Sequence, residues 1–286
     1  MHGAAAARPL ICLVNGEVGN QVAATDRGLA YGDGLFETIR VSRGNPVLLE
    51  FHLQRLLAGL QRLHIGVALT TVQQHVWRLL GLAGERHLGD GLIKLIVTRG
   101  DAGRGFSPDP DADATIVCGW FTLPDYAAEV FIDGVELITC QTRLAHHPQL
   151  AGLKHLNCLD YVMASLELRE RAGCEGLLLD QGGAMIEAIT ANLFLVSRGE
   201  LLTPALNRCG VAGTMRRWIN EIAAPGMGLA VIERDLSLGC LQECEELFIC
   251  NSVRGVVPVS SVEGRHWRRG RVTAELQTRT MKLFDA

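Results

Sequence analysis

Two settings in this 286-residue chain place chemically capable side chains in apolar surroundings. The first is "LAGLKHLNCLDYVMA", residues 150–164, where Lys154 stands between a glycine-leucine pair and what reads as the first turn of an amphipathic helix. Low-dielectric surroundings disfavour an ammonium, and the neutral amine can attack a carbonyl to form a Schiff base. The local alternative is a lysine exposed at a helix start, where the helix dipole slightly disfavours it. The second is Glu187 in "GAMIEAITANLFLV". A carboxylate inside an apolar run either faces water at an edge or needs a partner.

Weaker signals accompany these two. In "CGVAGTMRR", Gly210 and Gly213 flank a helix start whose backbone N–H groups could cradle a phosphate or form only a turn. Arg55, in "EFHLQRLL", falls on the polar side of a leucine stripe, which by itself reads as a solvated arginine. "TRGDAGRGF" sets Arg99 and Arg104 among glycines, either a carboxylate- or phosphate-binding loop or an ordinary hairpin connection. The P-loop, the dinucleotide-binding glycine pattern and the serine-hydrolase elbow are all missing. His146 and His147 are adjacent, and neighbours on a strand point to opposite faces, so they make a poor metal site.

The elements that must carry these residues follow from periodicity. Residues 10–14 and 18–22 read as a hairpin through "NGE", and "LFETIRV" alternates as a strand. Leucines at 53, 56, 57, 60 and 63 give a helix, and Thr70 with Gln73 resembles a capping box that opens a second helix. "GLIKLIVTRG" and "ATIVCGWFTL" read as long strands, and so does "VELITCQTRL". Apolar residues at 156, 159, 163 and 166 predict a helix. "EGLLLD", "GAMIEAI" and "NLFLV" are short strands, "GVAGTMRRWINEIA" is a helix, and "LAVIERDL", "CEELFICNS" and "GVVPVSSVEG" finish the sheet. Strands outnumber helices without strict alternation, which predicts a mixed α/β (α+β) fold with two sheets. We expect a small α/β domain over residues 1–124, a linker at 125–134, and a larger α/β domain over 135–286 that carries Lys154.

Bulk properties remove whole classes of function. A net charge of -4 argues against a general nucleic-acid or anionic-membrane surface, and no apolar run approaches a membrane span. Nine cysteines, an odd number with no C-x-x-C spacing, read as reduced thiols in a cytoplasmic protein. The N-terminal run reads as a first strand rather than a secretion signal. No metal site is expected.

The order of the motifs says more than any one of them. "YGDGLFETIRV", "FHLQRL", "TRGDAGRGFS", "LAGLKHLNCLDYV", "EAITANLFLV", "GVAGTMRR" and "NSVRGVVPV" resemble, in that order, the blocks of the fold-type IV pyridoxal-phosphate enzymes. That family holds branched-chain and D-amino-acid aminotransferases and 4-amino-4-deoxychorismate lyases, and the resemblance runs from about residue 10 to residue 262. "GLKHLN", "AGRGFS" and "GVAGTMR" are most similar to the lyase branch, and Glu187-Ala188 departs from the Glu-Gly usual in the aminotransferases. The resemblance implies that Lys154 holds pyridoxal 5'-phosphate and serves as the catalytic acid/base, with Glu187 at the pyridine nitrogen. It implies Arg55 at the phosphate, together with the amides of Val211 and Ala212 and with Asn251 or Ser252. Tyr31, Thr38, Arg40, Arg99 and Arg104 map near a small-molecule substrate. It further implies a homodimer, a cofactor at the domain junction, and conversion of aminodeoxychorismate to 4-aminobenzoate, a folate precursor, and pyruvate. Transamination of branched-chain or D-amino acids is the alternative.

Overall fold

The computed structural model describes residues 8–171 and 173–285, so residues 1–7, part of the stretch read above as no secretion signal, lie outside it. The chain forms two compact units.

The first unit comprises residues 8–124 together with Leu153–Asn157 and the near-terminal Asp285. In chain order it contains β1 (Ile11–Val14), β2 (Glu17–Val18), α1 (Arg27–Tyr31), β3 (Gly34–Ser42) and β4 (Asn45–Pro46). Then come α2 (Leu49–Leu63), α3 (Leu69–Glu85), β5 (Gly91–Thr98) and β6 (Thr115–Phe121). The strands form one sheet in the order β2-β1-β6-β5-β3-β4, with antiparallel neighbours throughout. Burial alternates along β3: Leu35, Glu37, Ile39 and Val41 are buried, and Phe36, Thr38, Arg40 and Ser42 are half-buried. That period of two is a strand with one face packed. The helix predicted from Thr70 and Gln73 forms, but Ala68 is its N-cap and no side chain caps it. The chain supplies no capping box there because the helix begins two residues earlier than the motif requires.

The second unit comprises Asp125–Gly152 and Cys158–Phe284. It holds β7 (Val135–Leu144), α4 (Leu159–Glu167), β8 (Cys174–Asp180), β9 (Ala184–Ala188), β10 (Ala191–Ser197) and β11 (Glu200–Pro204). After these come α5 (Thr214–Trp218), β12 (Val231–Arg234), β13 (Leu236–Ser237), β14 (Glu246–Asn251), β15 (Gly255–Val262), β16 (Arg265–His266) and α6 (Arg271–Asp285). The main path runs β12-β11-β10-β14-β15-β7-β8-β9-β13, and a further β9–β10 pairing closes six of these strands into a ring. Closure removes open edges from those six strands. One apolar cluster draws on all six, including Leu137, Leu177, Met185, Leu193, Ile249 and Val257.

Three expectations change. Residues 125–134 are not a free linker: they contain a 3-10 turn, Ala128–Phe131, whose Val130 and Phe131 pack on the apolar cluster. Lys154 is not at a helix start and does not belong to the second unit, because α4 begins only at Leu159. Finally, the apolar stripe of α4 faces outward. Leu159, Val162, Met163 and Leu166 are each at least half exposed, and Ala164 is the buried residue of that helix.

Close packing gives a first test. A Cβ on Gly91 would lie 2.5 Å from the indole Cε2 of fully buried Trp120. Gly91→Ala should therefore lower stability by about 1–3 kcal/mol through overpacking. Chemical denaturation measures this as a lower midpoint at unchanged slope.

Candidate active site

In the first unit, Lys154 is placed by strand chemistry. The N-terminal half of β3 pairs with β5 on one side and would leave its other edge open. The segment Leu153–Asn157 covers that edge: Phe36 N–H donates to the Lys154 carbonyl at 2.9 Å, and Leu156 N–H donates to the Gly34 carbonyl at 3.0 Å. This pairing is why five residues from far along the chain belong to the first unit. It also brings the half-buried Lys154 side chain onto the half-open face of β3, with Nζ 4.3 Å from the Phe36 ring centroid. Lys94 Nζ lies 3.5 Å from the same centroid. Thr38 and Arg40 occupy the same face of β3 as Phe36, and Thr38 is paired with Lys94 across the sheet. Lys154, Thr38 and Arg40 are thus brought together within one unit.

The packed face of β3 holds a charge. Glu37, 1% exposed among Leu35, Ile39 and Val41, accepts hydrogen bonds from Arg55 Nε at 2.8 Å and from Arg55 Nη2, and it meets His52 Nδ1 at 2.6 Å. Arg55 is therefore no solvated arginine, since its side chain is only 12% exposed. Burial pushes the Glu37 carboxyl up, but the Arg55 guanidinium and the His52 N–H outweigh it and hold the group at about 2. Burial lowers the His52 imidazole, and the charges of Arg55 and Lys154 reinforce that against the pull of Glu37. With His52 uncharged at neutral pH, Arg55 is the cation that keeps Glu37 ionised.

In the second unit, β8 and β9 slip register between Leu178 and Leu179, and Ile186 is the extra residue. Glu187 is thereby paired with Leu178, which lies outside the six-strand cluster. Its carboxylate, 3% exposed, accepts from Tyr161 O–H at 2.6 Å, Asn192 Nδ2 at 3.1 Å and Val211 N–H at 3.1 Å. Burial pushes the Tyr161 phenol up and the negative charge of Glu187 adds to this, so the hydroxyl keeps its proton and donates it. The glycines of "CGVAG" make this grip possible. Gly210, at φ +85°, has no room for a Cβ, which would fall 2.6 Å from Ile186 Cγ2, and a Cβ on Gly213 would collide with Asn192 Oδ1.

Several sequence assignments are corrected by these bonds. The Val211 amide serves Glu187, and the Ala212 amide donates to the Gly152 carbonyl at 3.1 Å, so neither is kept for a phosphate. Asn251 is a turn former: its Oδ1 accepts from the amides of Val253 and Arg254, and its Nδ2 donates to the Thr190 carbonyl. Ser252 sits in that turn. Arg99 grips Asp33 and donates to the carbonyls of Leu63 and His64, which makes it an organiser of the loop before β3 rather than a substrate contact. The Tyr31 hydroxyl accepts from the Gly105 amide, and its ring contacts Phe106 at 5.7 Å. Arg104 is exposed. Sequence reasoning missed Glu37, His52, Tyr161 and Asn192. Glu37 was detectable, because alternation in "LFETIRV" puts it in phase with Leu35 and Ile39. Asn192 was within local reach, since it faces Glu187 across the β9–β10 hairpin only 5 residues away, whereas Tyr161 carries no local signal because its partner is 26 residues away. Among the described residues, no group of three or more His, Cys, Asp or Glu could hold a metal ion, and no helix is long and apolar enough to cross a membrane.

An antiparallel sheet unit that displays a lysine, joined to a second unit in which a buried glutamate sits beside a glycine-led turn, defines the mixed α/β fold-type IV architecture. The chain belongs to the amino-transferase class IV family, whose model matches residues 34–262. It is 34% identical to the aminodeoxychorismate lyase of Vibrio harveyi over 250 residues, 87% of this chain and 90% of that one. It is 32% identical to a putative branched-chain-amino-acid aminotransferase of Methanocaldococcus jannaschii, over 86% of this chain and 84% of that one. The crystal structure of 4-amino-4-deoxychorismate lyase from Pseudomonas aeruginosa superposes with a TM-score of 0.90 at 42% identity, covering 95% of this chain and 98% of that one.

The Glu37 grip predicts an acid limb in stability. The carboxyl is lowered from 4.5 to about 2 on folding, so its contribution is complete above pH 4.5 and is lost as the pH falls toward 2. His52, whose lowered value means that the unfolded chain takes up the proton first, adds a loss that begins below its ordinary 6.5. Denaturation midpoints should fall with acid through both windows, and Glu37→Gln should shrink the lower limb, the remainder coming from Asp33, Glu167 and Asp180, whose carboxyls are also held below their ordinary values.

Proposed function

We propose that this chain is a pyridoxal-phosphate-dependent aminodeoxychorismate lyase, which converts 4-amino-4-deoxychorismate to 4-aminobenzoate and pyruvate for folate precursor synthesis. The observation that carries this reading is the likeness to the Pseudomonas aeruginosa lyase, which extends over nearly all of both chains. The donor set fits the cofactor: an amine on Lys154 for an aldehyde, a near-buried guanidinium on Arg55 for a phosphate, and a buried carboxylate on Glu187 for a ring nitrogen. When bound, pyridoxal phosphate supplies an electron sink for the carbon that bears the substrate amine.

The chain's own residues do the rest. Lys154 Nζ would hold the cofactor and, once displaced by the substrate amine, take the proton from the ring carbon bearing nitrogen and return one to the departing enolpyruvyl group. Tyr161, Asn192 and the Val211 amide orient the Glu187 carboxylate, which would hold the ring nitrogen in its protonated form. Arg55 would bind the phosphate, with the Ser252 hydroxyl as a second contact. The face of β3 that carries Thr38 and Arg40, beside Lys94, would receive the substrate. Aromatisation of the ring makes the reaction strongly downhill, so alignment and proton traffic are the protein's main tasks.

A homodimer accompanies this reading. The exposed stripe Leu159, Val162, Met163 and Leu166 on α4 is an apolar surface of the kind that a second copy covers. All nine cysteines are free thiols, in keeping with the reducing, cytoplasmic location that this reading proposes. The aminotransferase reading keeps the support of the Methanocaldococcus jannaschii relative.

Three measurements test this reading. Incubation with 4-amino-4-deoxychorismate should release 4-aminobenzoate and pyruvate in equal amounts, and Lys154→Ala should lower the rate by at least about a thousandfold. A 2-oxo acid formed from D-alanine or a branched-chain amino acid, with no 4-aminobenzoate, would establish the aminotransferase instead. Light scattering should give a dimer mass that Met163→Glu with Leu166→Glu shifts towards the monomer.

A further inference from the structure

The Glu37 carboxylate is too deep to touch a ligand: 1% of its surface is exposed, and it sits on the packed face of β3. A charge in that position acts only through its neighbours. Both come from one turn of α2, where Arg55 and His52 stand three residues apart and so project to the same side. Arg55 brings two of its N–H donors, Nε and Nη2, to the two carboxylate oxygens, the side-by-side geometry in which a guanidinium is held in plane. His52, fully buried, brings Nδ1 to Oε2 at 2.6 Å. The carboxylate thus has its donors fixed on two sides and cannot swing. The next residue along the strand, Phe36, holds the backbone of Lys154 through its N–H. Two consecutive residues of β3 therefore anchor the segment that carries the amine and the side chain that carries the guanidinium.

We propose that Glu37 and His52 are a positioning pair for cofactor binding, which fixes the Arg55 guanidinium in advance for the phosphate end of pyridoxal phosphate. This rests on the reading that Arg55 takes the phosphate. An arginine left to itself loses much rotamer freedom when it grips a ligand, and immobilisation before the ligand arrives lowers the cost of binding. A purely structural ion pair between β3 and α2 would stabilise the unit but would not discriminate between ligands with and without a phosphate.

That difference is the test. The full chain, stripped of cofactor, is titrated calorimetrically with pyridoxal phosphate and with pyridoxal, which lacks the phosphate, and the ratio of the two affinities is the readout. Glutamine at position 37 keeps the shape but turns an N–H2 group toward donors, so Glu37→Gln should cut the ratio by roughly tenfold or more while pyridoxal binding holds. His52→Asn, which retains a donor near the Nδ1 position, should preserve the ratio, and His52→Leu should lower it. If both ligands weaken equally in Glu37→Gln and His52→Leu, or neither weakens, the pair is structural and the proposal is overturned. Arg55→Gln separates the two layers of the argument. A ratio that Arg55→Gln leaves unchanged removes Arg55 from the phosphate. A ratio that collapses in Arg55→Gln but survives in Glu37→Gln removes only the positioning role.

Discussion

A carboxylate taken out of water must be met by donors, and this requirement organises both units. In the second unit Glu187 draws in Tyr161 from α4, Asn192 from β10 and the amide of Val211 from the turn before α5. Two of these elements, α4 and the turn before α5, are distant in sequence from Glu187 and converge on the one anion. In the first unit Glu37 does the same with two residues of α2. Removing any single donor would leave a buried charge poorly answered, which costs more than the bond itself contributes. The glycines at 210 and 213 follow from the same requirement. They let the backbone come close enough for an amide to reach the carboxylate, which is a different task from cradling a ligand.

The pattern of elements was legible where burial is one-sided. The strand at 34–42 and the helix at 49–63 show their periods in sequence, and both are present. The two-sheet mixed architecture could be read from the excess of strands over helices. Closure of six strands into a ring could not, because the β10–β14 and β15–β7 pairings that complete it join strands far apart in sequence. The helix Arg271–Asp285 was not foreseen either, since its polar residues dilute the apolar period.

The site was legible unevenly, for physical reasons. Lys154 and Glu187 announce themselves as charges in apolar runs. Lys154 was nevertheless placed in the wrong element: "LKHLNCLDYV" carries a helical period, but its first residues are claimed by the open edge of β3. Periodicity reports which residues share a face, not whether that face is inward. The apolar residues of α4 show this, since they are regularly spaced and point outward. Arg99 shows the converse limit. A guanidinium in a glycine-rich loop looks available for a ligand, and only the geometry reveals that Asp33 and two carbonyls already occupy it.

The edge pairing of Leu153–Asn157 with β3 also constrains the order in which the molecule can be finished. Chains emerge from the ribosome N-terminus first, and domains tend to fold as they emerge. Residues 8–124 appear with one stretch of β3 unpaired, and β7 must be synthesised before the segment that covers it arrives. The first unit is therefore completed by the same five residues that deliver Lys154. A chain that stops short of them has neither its reactive amine nor a closed sheet edge, so incomplete synthesis yields a product that is inert and open to recognition by the cell's quality control.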